Sequence, residues 1–249
     1  MSDYFLLYND ATSTTGRELG QWLSDHGLDI ESGHSTRDIR YRGLIRWGCT
    51  AKANKKPEKV LNWQAAINSA SQKLDSLLLM KDQGLLVPDI YTPSSPDIQF
   101  PVYGRAPQHT GGTDIVLCLQ KRDLAIAADK GCTYFTRLIP TDREFRVHVF
   151  GDKIIKISEK VLTNPDLWQP HIRNLSTGYT FRQPDERPGA RVRYAAVAAV
   201  DVHKLHFGAV DIVVGDDGHP YILEVNTAPG LTTDSSLEAY GTRILEEFA

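Results

Sequence analysis

The sequence is poor in cysteine: Cys49, Cys118 and Cys132 are three in 249 residues, an odd number with no CxxC pair. Neither a disulfide framework nor a thiolate zinc site is suggested, and a reducing compartment, the cytoplasm, is the expected location. There is no basic surplus either, since 28 Lys+Arg against 31 Asp+Glu leave a net charge of −3. Nucleic-acid or anionic-membrane binding driven by bulk charge is therefore not expected. The opening Met-Ser-Asp-Tyr-Phe-Leu-Leu-Tyr-Asn-Asp has an apolar run too short and too polar-flanked for a signal peptide or a membrane span. Internal repeats, a GxxxxGK[ST] loop, a GxGxxG turn and a Ser/His/Asp order are all missing, so those phosphate-binding and nucleophile routes have no support. What remains is an ordinary globular composition, 41% hydrophobic, long enough for one large domain or two to three lobes.

Tyr4–Tyr8 reads as a strand, and Leu19, Trp22 and Leu23 sit at helical spacing within 15–26, with Gly27 as C-cap. Leu44-Ile45-Arg46-Trp47 reads as the second strand of a small βαβ-like unit. The stretch 51–59, with four lysines and one proline, reads as a solvated linker and lobe boundary. A short helical stretch near Trp63–Ile67 precedes a helix N-capped by Ser71, carrying Leu74, Leu77 and Leu78, and ended by Gly84. Alternation predicts a hairpin from 100–103 and 114–119, a second from 144–150 and 153–162 around Gly151-Asp152, and a third from 208–214 and 221–225. A helix over 193–206 and a closing helix over 236–248 complete the reading, with His203 and His206 as helix-surface histidines.

The third hairpin carries the chemistry. A turn centred between Asp216 and Asp217 sets Asp211 opposite Ile222 and turns Val210, Ile212, Val214, Tyr221, Leu223 and Val225 toward the core. Asp211, Glu224 and Asn226 then share the other face. Three oxygen donors, two of them carboxylates, form a hard-cation site that leaves positions for water and phosphate, which suits Mg²⁺ with a nucleotide. A polar, solvated edge hairpin reads the same way from pattern alone.

The run Ile-Leu-Glu-Val-Asn-Thr-Ala-Pro-Gly-Leu at 222–231, after the strand Asp211, resembles the ATP-grasp ligases, and the similarity holds in order from about Leu61 to Leu231. It is close to D-alanine–D-alanine ligases, glutamate-adding peptide ligases and a phage-associated group of carboxylate–amine ligases. The resemblance implies an α/β fold of α+β lobes, with a short N-terminal lobe at 1–60, a small ATP-grasp subdomain at 61–137 and a C-terminal subdomain at 138–249 holding the nucleotide between the last two. It implies an ADP-forming, amide-forming ligase working through an acyl phosphate, with ATP and two Mg²⁺ ions (Mn²⁺ as a substitute). The partners it implies are a small-molecule or peptide carboxylate and an amine acceptor, with no nucleic acid or membrane. A small-molecule kinase on the same scaffold and a nucleotide-binding module without turnover are the alternatives.

Carried over residue by residue, the metal ligands are Asp211, Glu224 and Asn226, and Glu144 binds the ribose. Backbone groups of Arg137, Leu138 and Ile139 read adenine. Lys73 and Arg105 hold phosphates, with Arg105 standing where most of the family has Lys, a fork in place of a point charge. His109, Gly111 and Gly112 form a loop closing on the phosphates. Lys160 and Arg173 join Arg105 as the catalytic cations, with Arg173 offsetting charge on the transferring phosphoryl group. A two-residue turn at Gly151-Asp152 would set Lys160 on the face opposite Glu144 unless a bulge intervenes. D-alanine ligases also carry an Arg two residues before the metal Asp, where this chain has Ala209.

Overall fold

The computed structural model describes residues 2–9, 11–107, 115–141, 143–169, 171–231 and 233–248. The N-terminal lobe contains β1 (Tyr4–Tyr8), α1 (Thr14–Asp25), β2 (Ile30–Gly33), β3 (Gly43–Trp47) and β4 (Lys59–Leu61). Its sheet is parallel throughout, in the order β2-β1-β3-β4. Ser13 opens α1 by accepting from the Gly16 N–H, and Gly27 closes it at φ +92°. β2 has a single apolar residue in Ile-Glu-Ser-Gly and lies at the sheet edge, which is why alternation did not reveal it.

Next come α2 (Gln64–Ser71) and α3 (Lys73–Asp82), then β5 (Ile90–Tyr91), β6 (Val102–Arg105), β7 (Ile115–Cys118), α4 (Asp123–Asp129) and β8 (Tyr134–Arg137). Ser71 is the last residue of α2 and not the cap of α3, because the chain breaks at Gln72 and restarts one residue later. Strands β5-β8-β6-β7 form an antiparallel sheet backed by α4, and that backing buries Val102, Cys118, Ala127 and Phe135.

The third sheet, β11-β10-β9-β12-β13, is antiparallel. It is built from β9 (Arg143–Phe150), β10 (Lys153–Leu162), β11 (Tyr179–Arg182), β12 (Phe207–Val214) and β13 (Pro220–Asn226). One face packs on α5 (Ala190–Val202), α2 and α3 through Phe145, Val147, Ile157, Ala196, Val210, Ile212, Ile222 and Val225. Full burial of aliphatic side chains of this size contributes roughly 1.5–3 kcal/mol each. α6 (Asp234–Phe248) packs on α1 and closes a second core of Leu19, Trp47, Phe207, Tyr240 and Ile244 between the N-terminal lobe and this sheet. Asn62, at φ +61°, ties the two together by accepting from the His206 and Phe207 N–H groups and donating to the Phe207 carbonyl.

Two helical expectations need correction. α5 ends at Val202, so His206 lies beyond the helix. His203 is 2% exposed rather than a surface residue. Its ring nitrogens lie 2.9 Å from the hydroxyls of Ser69 and Ser76, which joins α2 and α3 to the end of α5, and burial lowers its pKa to about 4.

Candidate active site

The face of the large sheet away from α5 is polar because of strand parity. Along β12, Asp211 pairs with Arg146 on one side and with Glu224 on the other, while Ala209 pairs with His148 and Asn226. Cross-strand partners project to the same face. Arg146 and Glu144 of β9, Asp211 of β12 and Glu224 and Asn226 of β13 therefore share one surface.

The expected pairing of Asp211 with Ile222 is wrong in detail. The turn is one residue longer than expected, with Val214 paired to Pro220 and Gly218 at φ +74°, so Ile212 rather than Asp211 meets Ile222. A bulge then makes Leu223 the extra residue and brings Glu224 opposite Asp211. Two shifts of one residue restore the parity at Glu224 and Asn226. Between the shifts the faces are exchanged: Ile222 enters the core in place of Tyr221 and Leu223, and the Tyr221 hydroxyl donates to Asp217.

The same device settles the position of Lys160. The turn at Gly151-Asp152 does have two residues, with Phe150 paired to Lys153, but a bulge at Ile155 shifts the register so that Lys156 meets His148. Lys160 consequently reaches Glu144 and forms an ion pair with it.

Charges on this face are paired internally. Arg146 grips Asp211 with Nε and Nη2 at 2.7 Å each, its guanidinium 4.4 Å from the centre of the Phe181 ring. Lys73, the first residue of α3, reaches Glu224 Oε2 at 2.9 Å. The Asn226 amide donates to Glu224 Oε1 at 3.1 Å and to Asp211 Oδ2 at 3.4 Å. Burial alone would raise the Asp211 pKa, but the Arg146 fork outweighs it and the net direction is down, so Asp211 is ionised. Burial pushes Glu144 up, with Lys160 opposing. Burial also lowers His148 to about 3, helped by the charges of Arg146 and Lys156, so it is neutral.

Facing this surface is the antiparallel sheet with Tyr103, Arg105, Tyr134 and Thr136. Arg105 Nε donates to the Thr136 hydroxyl at 2.9 Å. The Tyr103 hydroxyl donates to the His171 carbonyl. Burial, with the Glu144 charge adding and the charges of Arg105 and Arg173 opposing, pushes its pKa up to about 12. Arg173 donates to the Thr141 carbonyl and lies over the Tyr179 ring. Tyr134 feels Arg105 and Glu224, and its hydroxyl is the single buried side-chain polar atom without a partner among the described residues. In the 137–139 segment the N–H groups of Arg137 and Leu138 already donate to the carbonyls of Asp89 and Pro101. His109, Gly111 and Gly112 lie outside the described residues.

Arg146, His148, Tyr134 and Phe181 went unnoticed in the sequence. Period-two alternation from Glu144 would have reached Arg146 and His148, but Tyr134 and Phe181 arrive through pairings distant in sequence.

No family model matches the chain. Over 187 residues it is 30% identical to a probable alpha-L-glutamate ligase of Sodalis glossinidius (strain morsitans), covering 69% of this chain and 61% of that protein. Over 121 residues it is 29% identical to a D-alanine–D-alanine ligase of Pseudoalteromonas translucida (strain TAC 125), covering 42% and 39%. The chain thus spans less than two thirds of the length of these curated relatives. Among solved structures, the ATP-grasp ligase PsnB complexed with minimal precursor superposes with a TM-score of 0.71 at 14% identity, covering 99% of both chains. The chain has the ATP-grasp fold. D-alanine–D-alanine ligase from Bacillus anthracis complexed with ATP agrees, with a TM-score of 0.65 at 16% identity over 99% of each chain. So does macrocyclase MdnC bound with precursor peptide MdnA from Microcystis aeruginosa MRC, at 0.64 and 13% over 95% of this chain and 98% of that one. No helix of the chain is long and apolar enough to cross a membrane among the described residues.

Proposed function

We propose that the chain is an ATP-dependent carboxylate–amine ligase that forms ADP and an amide through an acyl phosphate. The observation that carries the reading is the shared face of Asp211, Glu224 and Asn226, set among Lys73, Arg146, Lys160 and Glu144 in a cleft that also contains Arg105 and Arg173. The donor set fits Mg²⁺: two carboxylates and an amide oxygen are hard ligands, and the unpartnered Tyr134 hydroxyl leaves polar capacity in the floor. When bound, two Mg²⁺ ions (or Mn²⁺) would supply Lewis-acid stabilisation of charge on the β- and γ-phosphates.

In this reading Lys73 and Arg146, now neutralised by Glu224 and Asp211, redirect part of their charge to phosphate oxygens when a nucleotide arrives. Glu144, released from Lys160, accepts from ribose hydroxyls, and Lys160 turns to a phosphate. The Ile139 N–H and the carbonyls of Arg137 and Leu138 read adenine, since the other two N–H groups are engaged. Arg105 and Arg173 offset charge as a substrate carboxylate attacks the γ-phosphorus, and an amine then displaces phosphate from the acyl carbon. We assign His109, Gly111 and Gly112, outside the described residues, to the nucleotide phosphates. We assign the lobes as 1–60, 61–137 and 138–249, the first boundary falling inside β4, and the substrates as a carboxylate, small or on a peptide, and an amine. Support for the peptide form is that one structural neighbour, MdnC, is bound with a precursor peptide.

The experiment is an ADP-release screen over paired acids and amines with wild type and Glu224→Gln. The variant is expected to release no ADP with any pair, and wild-type turnover in it would refute the site. Hydroxylamine added to the turning-over enzyme should give a hydroxamate. A stable phosphoester in its place identifies a kinase.

A further inference from the structure

Arg46, on β3, is 6% exposed, and its neighbours are unusual for a buried cation. Nη1 donates to the carbonyls of Cys49 and Ala51, at 3.0 and 2.6 Å. Among the described residues no carboxylate pairs with it, and its Nε and Nη2 have no partner although neither is sealed from solvent. A guanidinium largely withdrawn from water without a counter-charge is costly, and such groups are normally paired. Burial accordingly lowers its pKa, with the weak opposing influence of Cys49 as the one other contribution.

Elsewhere this protein shows what that free edge does. Arg146 holds Asp211, and Arg143 holds Glu159, each through the same Nε and Nη2 pair, at 2.7 to 3.0 Å. Arg46 presents the same two-donor edge without a protein acceptor among the described residues.

Its place in the topology is equally specific. The parallel sheet runs β2-β1-β3-β4, so successive connections leave β1 in opposite directions and the order reverses between β1 and β3. Ligands of open parallel sheets bind outside the carboxyl ends of the strands at that reversal. Arg46 pairs with Leu7 across the β1/β3 boundary, one residue before β3 ends. Two residues later Gly48, at φ +67°, packs so closely on Ala228 that an added Cβ would lie 2.6 Å from the Ala228 Cβ. Ala228 follows Glu224 and Asn226 by a few residues, so the carboxyl end of β3, where Arg46 lies on the same face as Leu44, approaches the segment that follows β13.

We propose that Arg46 is the anchor of an anion subsite, at the β1/β3 reversal, that takes a carboxylate of the acidic substrate through its Nε/Nη2 edge. The subsite rests on the ligase reading for its purpose but not for its detection. A carboxylate held there is oriented by two parallel hydrogen bonds, which Lys cannot reproduce.

The test titrates the ¹⁵N-labelled wild-type chain, without nucleotide, with sodium glutarate, sodium acetate and sodium phosphate at constant ionic strength, following the Arg46 Nε–H cross-peak. A saturable shift with the carboxylates is expected. Calorimetry should show glutarate affinity falling at least tenfold in both Arg46→Gln and Arg46→Lys, while Mg·ADP binding persists. Glu224→Gln should do the reverse, losing Mg·ADP and keeping glutarate, so failure of the nucleotide reading and failure of this one appear in different variants. An unmoved cross-peak with every anion overturns the subsite, as does unchanged glutarate affinity in Arg46→Gln. Phosphate bound more tightly than either carboxylate overturns the carboxylate assignment. Should Arg46→Gln not fold, the wild-type cross-peak and Arg46→Lys decide.

Discussion

The two faces of the large antiparallel sheet come from the same strands and share every backbone hydrogen bond, yet they are chemically opposite. Toward α5 lie Phe145, Val147, Val210, Ile212 and Val225; toward the cleft lie Glu144, Arg146, Asp211, Glu224 and Asn226. Burial of area stabilises the first, whereas on the second desolvated charges are tolerated because each has a partner at hydrogen-bond distance. The lesson is that removing one group matters differently: an apolar truncation leaves a cavity, and a polar truncation strands a charge.

Asp211 and Ile212, neighbours on opposite faces, put this contrast to the test most sharply. Asp211→Ala leaves the largely buried Arg146 uncompensated and is expected to cost about 3–5 kcal/mol in urea unfolding, together with loss of Mg·ADP binding by calorimetry. If Asp211→Ala is stable but Asp211→Ala with Arg146→Met is not, the contrast between faces fails. Ile212→Ala should cost on the order of 2–5 kcal/mol while the folded protein keeps its Mg·ADP affinity; a lost affinity without lost stability would mean that the faces are not independent.

His203 extends the contrast to pH. Its pKa of about 4 lies below that of the unfolded chain, so the unfolded state takes up a proton first as pH falls. Stability is therefore fully present above about pH 6.5 and declines toward pH 4. Urea midpoints between pH 7 and 5 should drop by the equivalent of about 2 kcal/mol per such histidine, and His203→Gln should flatten that slope. The smallest effect is expected at the more exposed Arg243–Glu246 pair, where Arg243→Ala should change stability by about 0.5 kcal/mol or less. A loss there as large as at Asp211 would show that burial is not what separates the two pairs.

Much of the fold was legible because its signals are local. Tyr4–Tyr8, the Ser13 to Gly27 region and the Gly151-Asp152 turn follow from periodicity and turn chemistry within a few residues, whereas the Asp211/Glu224/Asn226 parity holds only because the longer turn and the Leu223 bulge offset each other. Some features were hidden because they depend on what packs alongside. The bulges at Ile155 and Leu223 satisfy register with strands on both sides, and the break at Gln72 follows the docking of α2 and α3 on α5 through His203.

By itself the sequence determined which residues alternate, where the chain turns and which side chains carry charge, since these depend on backbone stereochemistry and solvation over short spans. Tertiary structure alone decided which charges meet. Arg146 on Asp211, Lys73 on Glu224 and the carboxylate-free edge of Arg46 are relations between strands and helices far apart in the chain, and pairing energies in a desolvated cleft depend on distances that only the assembled sheets create.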